Sequence, residues 1–148
     1  MSSWAGWAKQ ASLNSAETWR LRRRTLRAMV ALGRAQMEVS FVPMRVWRNS
    51  VGLEGQASSE ELAEARRLAR HVERAAMRLP FRTKCLPQAI ALSRMLRRQA
   101  IAHEIVLAVR PAQLRQEEDS LHAWLEVAEE ILLGNLPGPW HETARLSG

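Results

Sequence analysis

One cysteine, Cys85, and four histidines, His71, His103, His122 and His141, are the residues able to supply a nucleophile and its base. Cys85 opens the segment Cys-Leu-Pro-Gln-Ala-Ile-Ala-Leu, where the pattern predicts the first turn of a helix. Unpaired first-turn amides and the positive end of the helix dipole stabilise a thiolate there. Ala89, Leu92 and Leu96, at i+4, i+7 and i+11, share its face, so the sulfur points at whatever the helix packs on. The alternative for a lone cysteine is an inert, buried small hydrophobe. His122 begins the apolar run Leu-His-Ala-Trp-Leu-Glu-Val (121–127), where a cysteine at a helix start can meet it. The imidazole would take the thiol proton and later give it to a leaving amine. The Cys85 amide would help hold an oxyanion. His71, between Arg70 and Glu73, reads as a surface residue; His103 starts a strand, and His141 lies in an irregular tail. A zinc site from Cys85, His103, His122 and His141 matches no ligand spacing.

These groups need elements to position them. Asn14 with Glu17, and Ser58 with Glu61, have capping-box spacing. They predict helices over about 15–40 and 59–78, with a loop over 49–57. Trp19, Leu26, Val30, Gly33 and Met37 form one stripe of the first helix and are expected to face the core. Arg20, Arg23, Arg24, Arg27 and Arg34 gather beside it, as a solvated face or as a docking surface for an acidic peptide or partner. Pro80 ends the second helix, and Pro87 fits the first turn of a third running from 83–85 to about Gln99.

The period then becomes two. His103–Arg110, Leu121–Val127 and Glu130–Asn135 read as strands, 112–119 as a polar loop, and 137–148 as irregular. Helices followed by an antiparallel sheet define an α+β fold. If Ala128-Glu129 is the turn, Val127 pairs with Glu130 and pair numbers sum to 257, which places Asn135 opposite His122. Asn135 is then the candidate third group of a Cys85–His122–Asn135 centre, unless it is only a loop residue. Glu126 shares the strand face of His122 and is expected to be peripheral or exposed.

The 148 residues suit a single domain over 1–148, helical over about 1–57 with a core over about 58–148. A composition 47% hydrophobic and 25% charged is that of a globular chain. The longest stretch without Asp, Glu, Lys or Arg, Ile131 to His141, holds two glycines and two prolines, so no membrane span is expected. One cysteine and no apolar N-terminal signal core point to the cytoplasm. The net charge of +7 comes with 20 arginines and two lysines, Lys9 and Lys84. It favours acidic partners in general. Without a helix-turn-helix, zinc-knuckle or ribonucleoprotein motif, no nucleic-acid partner is expected.

Residues 78–110 (RLPFRTKCLPQAIALSRMLRRQAIAHEIVLAVR) and 121–127 (LHAWLEV) resemble the leader peptidases of lasso-peptide biosynthesis, which have a transglutaminase-like core. The likeness covers most of 78–135. It implies N-terminal helices followed by a transglutaminase- or papain-like core, with the cysteine helix packed on a small antiparallel sheet. It assigns Cys85 as nucleophile and His122 as base and acid. The family usually adds an Asp on the next strand, but no Asp follows Asp119, so Asn135, the backbone or water must serve. The implied function is bacterial antibiotic maturation: removal of the leader from a ribosomally made precursor, without metal, ATP or other cofactor. Since 148 residues leave no room for a fused recognition domain, the resemblance implies a separate leader-recognition protein and an ATP-dependent lasso cyclase as partners. Two alternatives stay open: a weak or inactive scaffold of the same fold, and a basic binding module using the arginine helix.

Overall fold

The computed structural model describes residues 4–114 and 120–148. Four helices come first: α1 (Trp4–Phe41), α2 (Met44–Trp47), α3 (Ser59–Arg78) and α4 (Cys85–Arg98). Four strands follow: β1 (Glu104–Val109), β2 (Leu121–Val127), β3 (Glu130–Leu133) and β4 (His141–Leu146). They form one antiparallel sheet in the order β3-β2-β1-β4. The architecture is the α+β arrangement expected. No described helix is long and apolar enough to cross a membrane.

Local chemistry explains the best-defined ends. At the start of α3 the Ser58 amide donates to Glu61 Oε2 and the Glu61 amide to Ser58 Oγ, at 2.6 and 3.2 Å. α4 begins at Cys85 with Pro87 buried in its first turn. It ends where Ala100 takes a left-handed φ of 54° and the Ile101 amide reaches back to the Leu96 carbonyl at 3.1 Å. That reversal feeds the chain directly into β1, so helix and strand are neighbours by construction.

The core lies between the helices and one sheet face. Ala89, Leu92 and Leu96 of α4 are buried against Ile105, Ala123, Leu125 and Val127. The opposite sheet face carries a smaller cluster of Val106, Ala108 and Trp124, with Trp140 packed on it.

Several sequence expectations need correction. α1 begins ten residues before Asn14, so Asn14 and Glu17 lie inside a helix and do not start one. Its buried face is Thr25, Ala28, Leu32 and Ala35, whereas Trp19, Leu26, Val30 and Met37 are exposed. Small residues let α1 lie close against α3 and α4, which leaves the bulky stripe outside. His71 is buried, with Nδ1 3.0 Å from Thr25 Oγ1. The tail holds β4, whose exposed or half-buried side chains give no apolar period. Ala112–Leu114 form a 3-10 turn; the rest of the expected loop, 115–119, lies outside the described residues.

Candidate active site

Cys85 is the first residue of α4, half-buried, with its sulfur at the end of β2. Burial pushes the thiol upward, but three hydrogen bonds to sulfur act against it: the His122 imidazole, the Ala123 amide and the Leu86 amide. Their combined effect wins, and the thiol sits below its ordinary value. The helix start supplies the Leu86 donor, since first-turn amides have no intrahelical acceptor. Strand β2 supplies the other two from consecutive residues.

His122 is buried beneath an aromatic lid. Its ring centroid is 4.9 Å from that of Trp140 and 6.0 Å from that of Trp124. The Arg110 guanidinium lies 4.9 Å from the Trp140 ring centroid. Nε2 of His122 donates to the Gly134 carbonyl at 2.5 Å. That bond fixes a proton on Nε2 and leaves Nδ1 as the ring's acceptor, the tautomer a base needs.

The expected partnership of His122 with Asn135 fails at the register. Ala128 and Glu129 do form the turn, with φ of 49° and 64°. Val127 pairs with Glu130 and Glu126 with Ile131, as the sum of 257 requires. The ladder then slips by one residue, so Leu125 pairs with Leu133. β3 ends there, and Asn135 lies beyond it, exposed. The group at Nε2 is the neighbouring main-chain carbonyl. Gly134 can bring it there because φ is +84° and because a Cβ would lie 2.6 Å from the Ala123 carbonyl oxygen. A glycine at a strand end is a sign of close backbone approach. That sign was available in the sequence.

Glu126 serves elsewhere: it accepts from Trp124 Nε1 at 2.7 Å and pairs with Arg145 at 3.1 Å. His141 opens β4 and is exposed. His103 is buried in a second hydrogen-bonded pair, 2.6 Å from Ser93 Oγ, which no motif or spacing signals. Among the described residues no three His, Cys, Asp or Glu side chains are placed to hold a metal ion.

A thiol lowered beside an imidazole, on a helix start packed against an antiparallel sheet, is the arrangement that cysteine-dependent acyl transfer requires. Residues 28–147 match the model of the Transglutaminase-like superfamily, and the chain belongs to that superfamily, which includes cysteine peptidases. No curated protein and no solved structure matches it significantly.

Proposed function

We propose that this chain is a cysteine peptidase that removes the leader from a ribosomally made lasso-peptide precursor. The hydrogen bonding at Cys85 is the observation that carries the peptidase reading. The finer reading, a lasso leader as substrate, is supported by the likeness of 78–110 and 121–127 to the leader peptidases of that pathway. It brings with it a separate leader-binding protein, an ATP-dependent macrolactam cyclase and a bacterial cytoplasm.

The chemistry follows from the geometry. Cys85 gives its proton to His122 Nδ1, and the thiolate adds to the scissile carbonyl carbon. The Cys85 amide, a first-turn donor, faces the developing oxyanion. The imidazolium then protonates the leaving amine as the C–N bond breaks, which leaves a thioester on Cys85. His122 next takes a proton from water, whose oxygen attacks the thioester, and collapse releases the leader carboxylate and the thiol. The Gly134 carbonyl holds the ring in line through both halves. A carbonyl stabilises the imidazolium less than a carboxylate would, so turnover slower than in a Cys–His–Asp centre is expected.

The test is incubation of precursor and leader-binding protein with wild-type chain or Cys85→Ala, read by mass spectrometry. Wild type is expected to release the leader and Cys85→Ala to release none. Cleavage by Cys85→Ala at the wild-type rate would refute the peptidase reading. A reactive thiol that cleaves nothing would favour the catalytically weak scaffold.

A further inference from the structure

The bulky apolar residues of α1 are on the outside. Trp19, Leu26, Val30, Met37 and Phe41 are 58–75% exposed. At helical spacing they form one seam with Gly33, directly opposite the buried face of Ala28, Leu32 and Ala35. Single exposed hydrophobes are ordinary, but a continuous seam is not. Its C-terminal half borders a groove of about 770 Å³ between α1 and α4, whose α4 wall is Arg94, Met95 and Arg98.

Two details say what fits there. The first is Gly33. Glycine inside a helix costs about 1 kcal/mol relative to alanine. Among the described residues nothing uses the missing side chain, because a Cβ on Gly33 would meet no atom within 4 Å. A close approach from outside would use it, as where a second helix backbone crosses. The second is charge. Arg23, Arg27, Arg34 and Arg98 are exposed, and none is ion-paired among the described residues. The groove's one acid, Glu38, is already bonded to Arg94 at 2.5 Å.

We propose that this face docks an amphipathic helix from a different chain, with an apolar ridge and acidic flanks, crossing α1 at Gly33. A second copy of this chain would set arginine against arginine along the groove, whose own acid, Glu38, is already held by Arg94. A lipid surface is flat and gains nothing from a concave wall or from a missing Cβ. The groove borders α4 at residues 94–98, nine or more positions from Cys85. At 1.5 Å per residue that is roughly 13 Å along the helix, so docking leaves the thiol open. The inference is independent of the reaction at Cys85.

The test uses a synthetic helical peptide with leucines at a and d and glutamates on both flanks. Its controls are the same peptide with lysine flanks, vesicles of phosphatidylglycerol, and sedimentation equilibrium of the chain alone. The glutamate peptide is expected to bind the chain with an affinity that falls as salt rises, and the lysine-flanked peptide to bind at least tenfold more weakly. Val30→Glu with Met37→Glu, both at exposed positions, should weaken glutamate-peptide binding by about tenfold or more, with circular dichroism confirming the fold. Arg34→Glu with Arg98→Glu should reverse the preference between the peptides. The proposal is overturned by equal binding of the two peptides, by no binding, by a dimer that Val30→Glu dissociates, or by vesicle binding that the same variant abolishes. None of these readouts involves precursor cleavage, so this surface and the peptidase reading fail separately.

Discussion

Two nucleophile–histidine pairs join α4 to the sheet region, and they share a plan. In one, His122 Nε2 donates to the Gly134 carbonyl and the ring meets Cys85. In the other, His103 Nδ1 lies 2.8 Å from the Ile101 carbonyl and Nε2 lies 2.6 Å from Ser93 Oγ. Each carbonyl fixes a tautomer, and each remaining ring nitrogen receives a proton from O–H or S–H. Their surroundings separate them. Ser93 is fully buried, and its oxygen also accepts from the Gly52 amide at 2.8 Å, so its polar capacity is spent inside the protein. Cys85 is only half-buried, its thiol is depressed, and it stands at a helix start. A hydroxyl beside an imidazole is therefore no sign of catalysis; access and stabilisation of the anion make the difference. Ser93–His103 is a structural clasp that ties α4 to the 49–57 loop and the entry of β1.

The comparison breaks most visibly by mutation of each nucleophile. Cys85→Ala should abolish acyl transfer while the melting temperature barely moves. Ser93→Ala should do the reverse. It leaves His103 Nε2 and the Gly52 amide without their buried partner, at a cost of about 1–3 kcal/mol each. Activity per folded molecule should stay within about twofold, since nothing at Cys85 changes. Urea denaturation beside single-turnover thiol acylation separates the two. Loss of activity in folded Ser93→Ala would end the division into chemistry and clasp.

The carbonyl at Nε2 is tested next. Gly134→Ala would place a Cβ 2.6 Å from the Ala123 carbonyl oxygen and strain φ at +84°. The carbonyl must then move. A shift of about 1 Å in a positioning group can cost a hundredfold in rate, so kcat is expected to fall by about ten- to a hundredfold with KM nearly constant. The pH profile of Cys85 alkylation by iodoacetamide should move upward as well, because the ring is less well held against the sulfur. An unchanged profile in a folded variant would remove Gly134 from the centre.

What was legible in the sequence divides along the same line. The start of α4, the α3 capping box and the Ala128-Glu129 turn follow local rules, and all three hold. The meeting of Cys85 and His122 was readable because a helix start and a strand start constrain where a side chain goes. The clasp was not readable, since it joins Gly52, Ser93 and His103 across long separations. The partner of His122 Nε2 escaped because of one residue of slip between Leu125 and Glu126, and a main-chain oxygen stands where a side chain was expected. α1 misled for another reason. Its most hydrophobic stripe is its outer one, and periodicity finds a face without saying which way it turns.

The buried histidines predict a smaller, pH-dependent effect. Burial lowers His103, as does nearby Arg97, against the raising bond to Ile101. Burial lowers His71 too, together with Arg74, Arg24 and Arg70, while Glu64 raises it. A histidine in the unfolded chain binds its proton near 6.5, whereas these two resist it when folded. Below 6.5 the unfolded state therefore holds more protons. Their stabilising contribution is complete above that value and declines as pH falls through it. The urea midpoint is expected to drop between pH 7.5 and pH 5, and the proton resonances of both rings should titrate below 6.5. A flat midpoint would mean that neither His71 nor His103 has to be neutral for the fold to hold.

Asn135 should give the smallest effect, and it bears directly on how the centre is completed. Were Asn135 the orienter, Asn135→Ala would lower turnover and leave precursor affinity alone, because orientation matters in the transition state and little in ground-state binding. The side chain is instead exposed, one residue past the carbonyl that meets Nε2. Asn135→Ala is therefore expected to keep kcat and KM within about twofold of wild type, far from the loss in Gly134→Ala. Asn135→Asp is the sharper variant. A carboxylate this close to an imidazolium favours the charged ring even without contact, which should raise the alkylation rate of Cys85 slightly at low salt and not at high salt. A side chain bonded to Nε2 would act at both salt concentrations. A tenfold fall in Asn135→Ala, or a salt-independent gain in Asn135→Asp, would return the third role to the side chain and take it from the carbonyl.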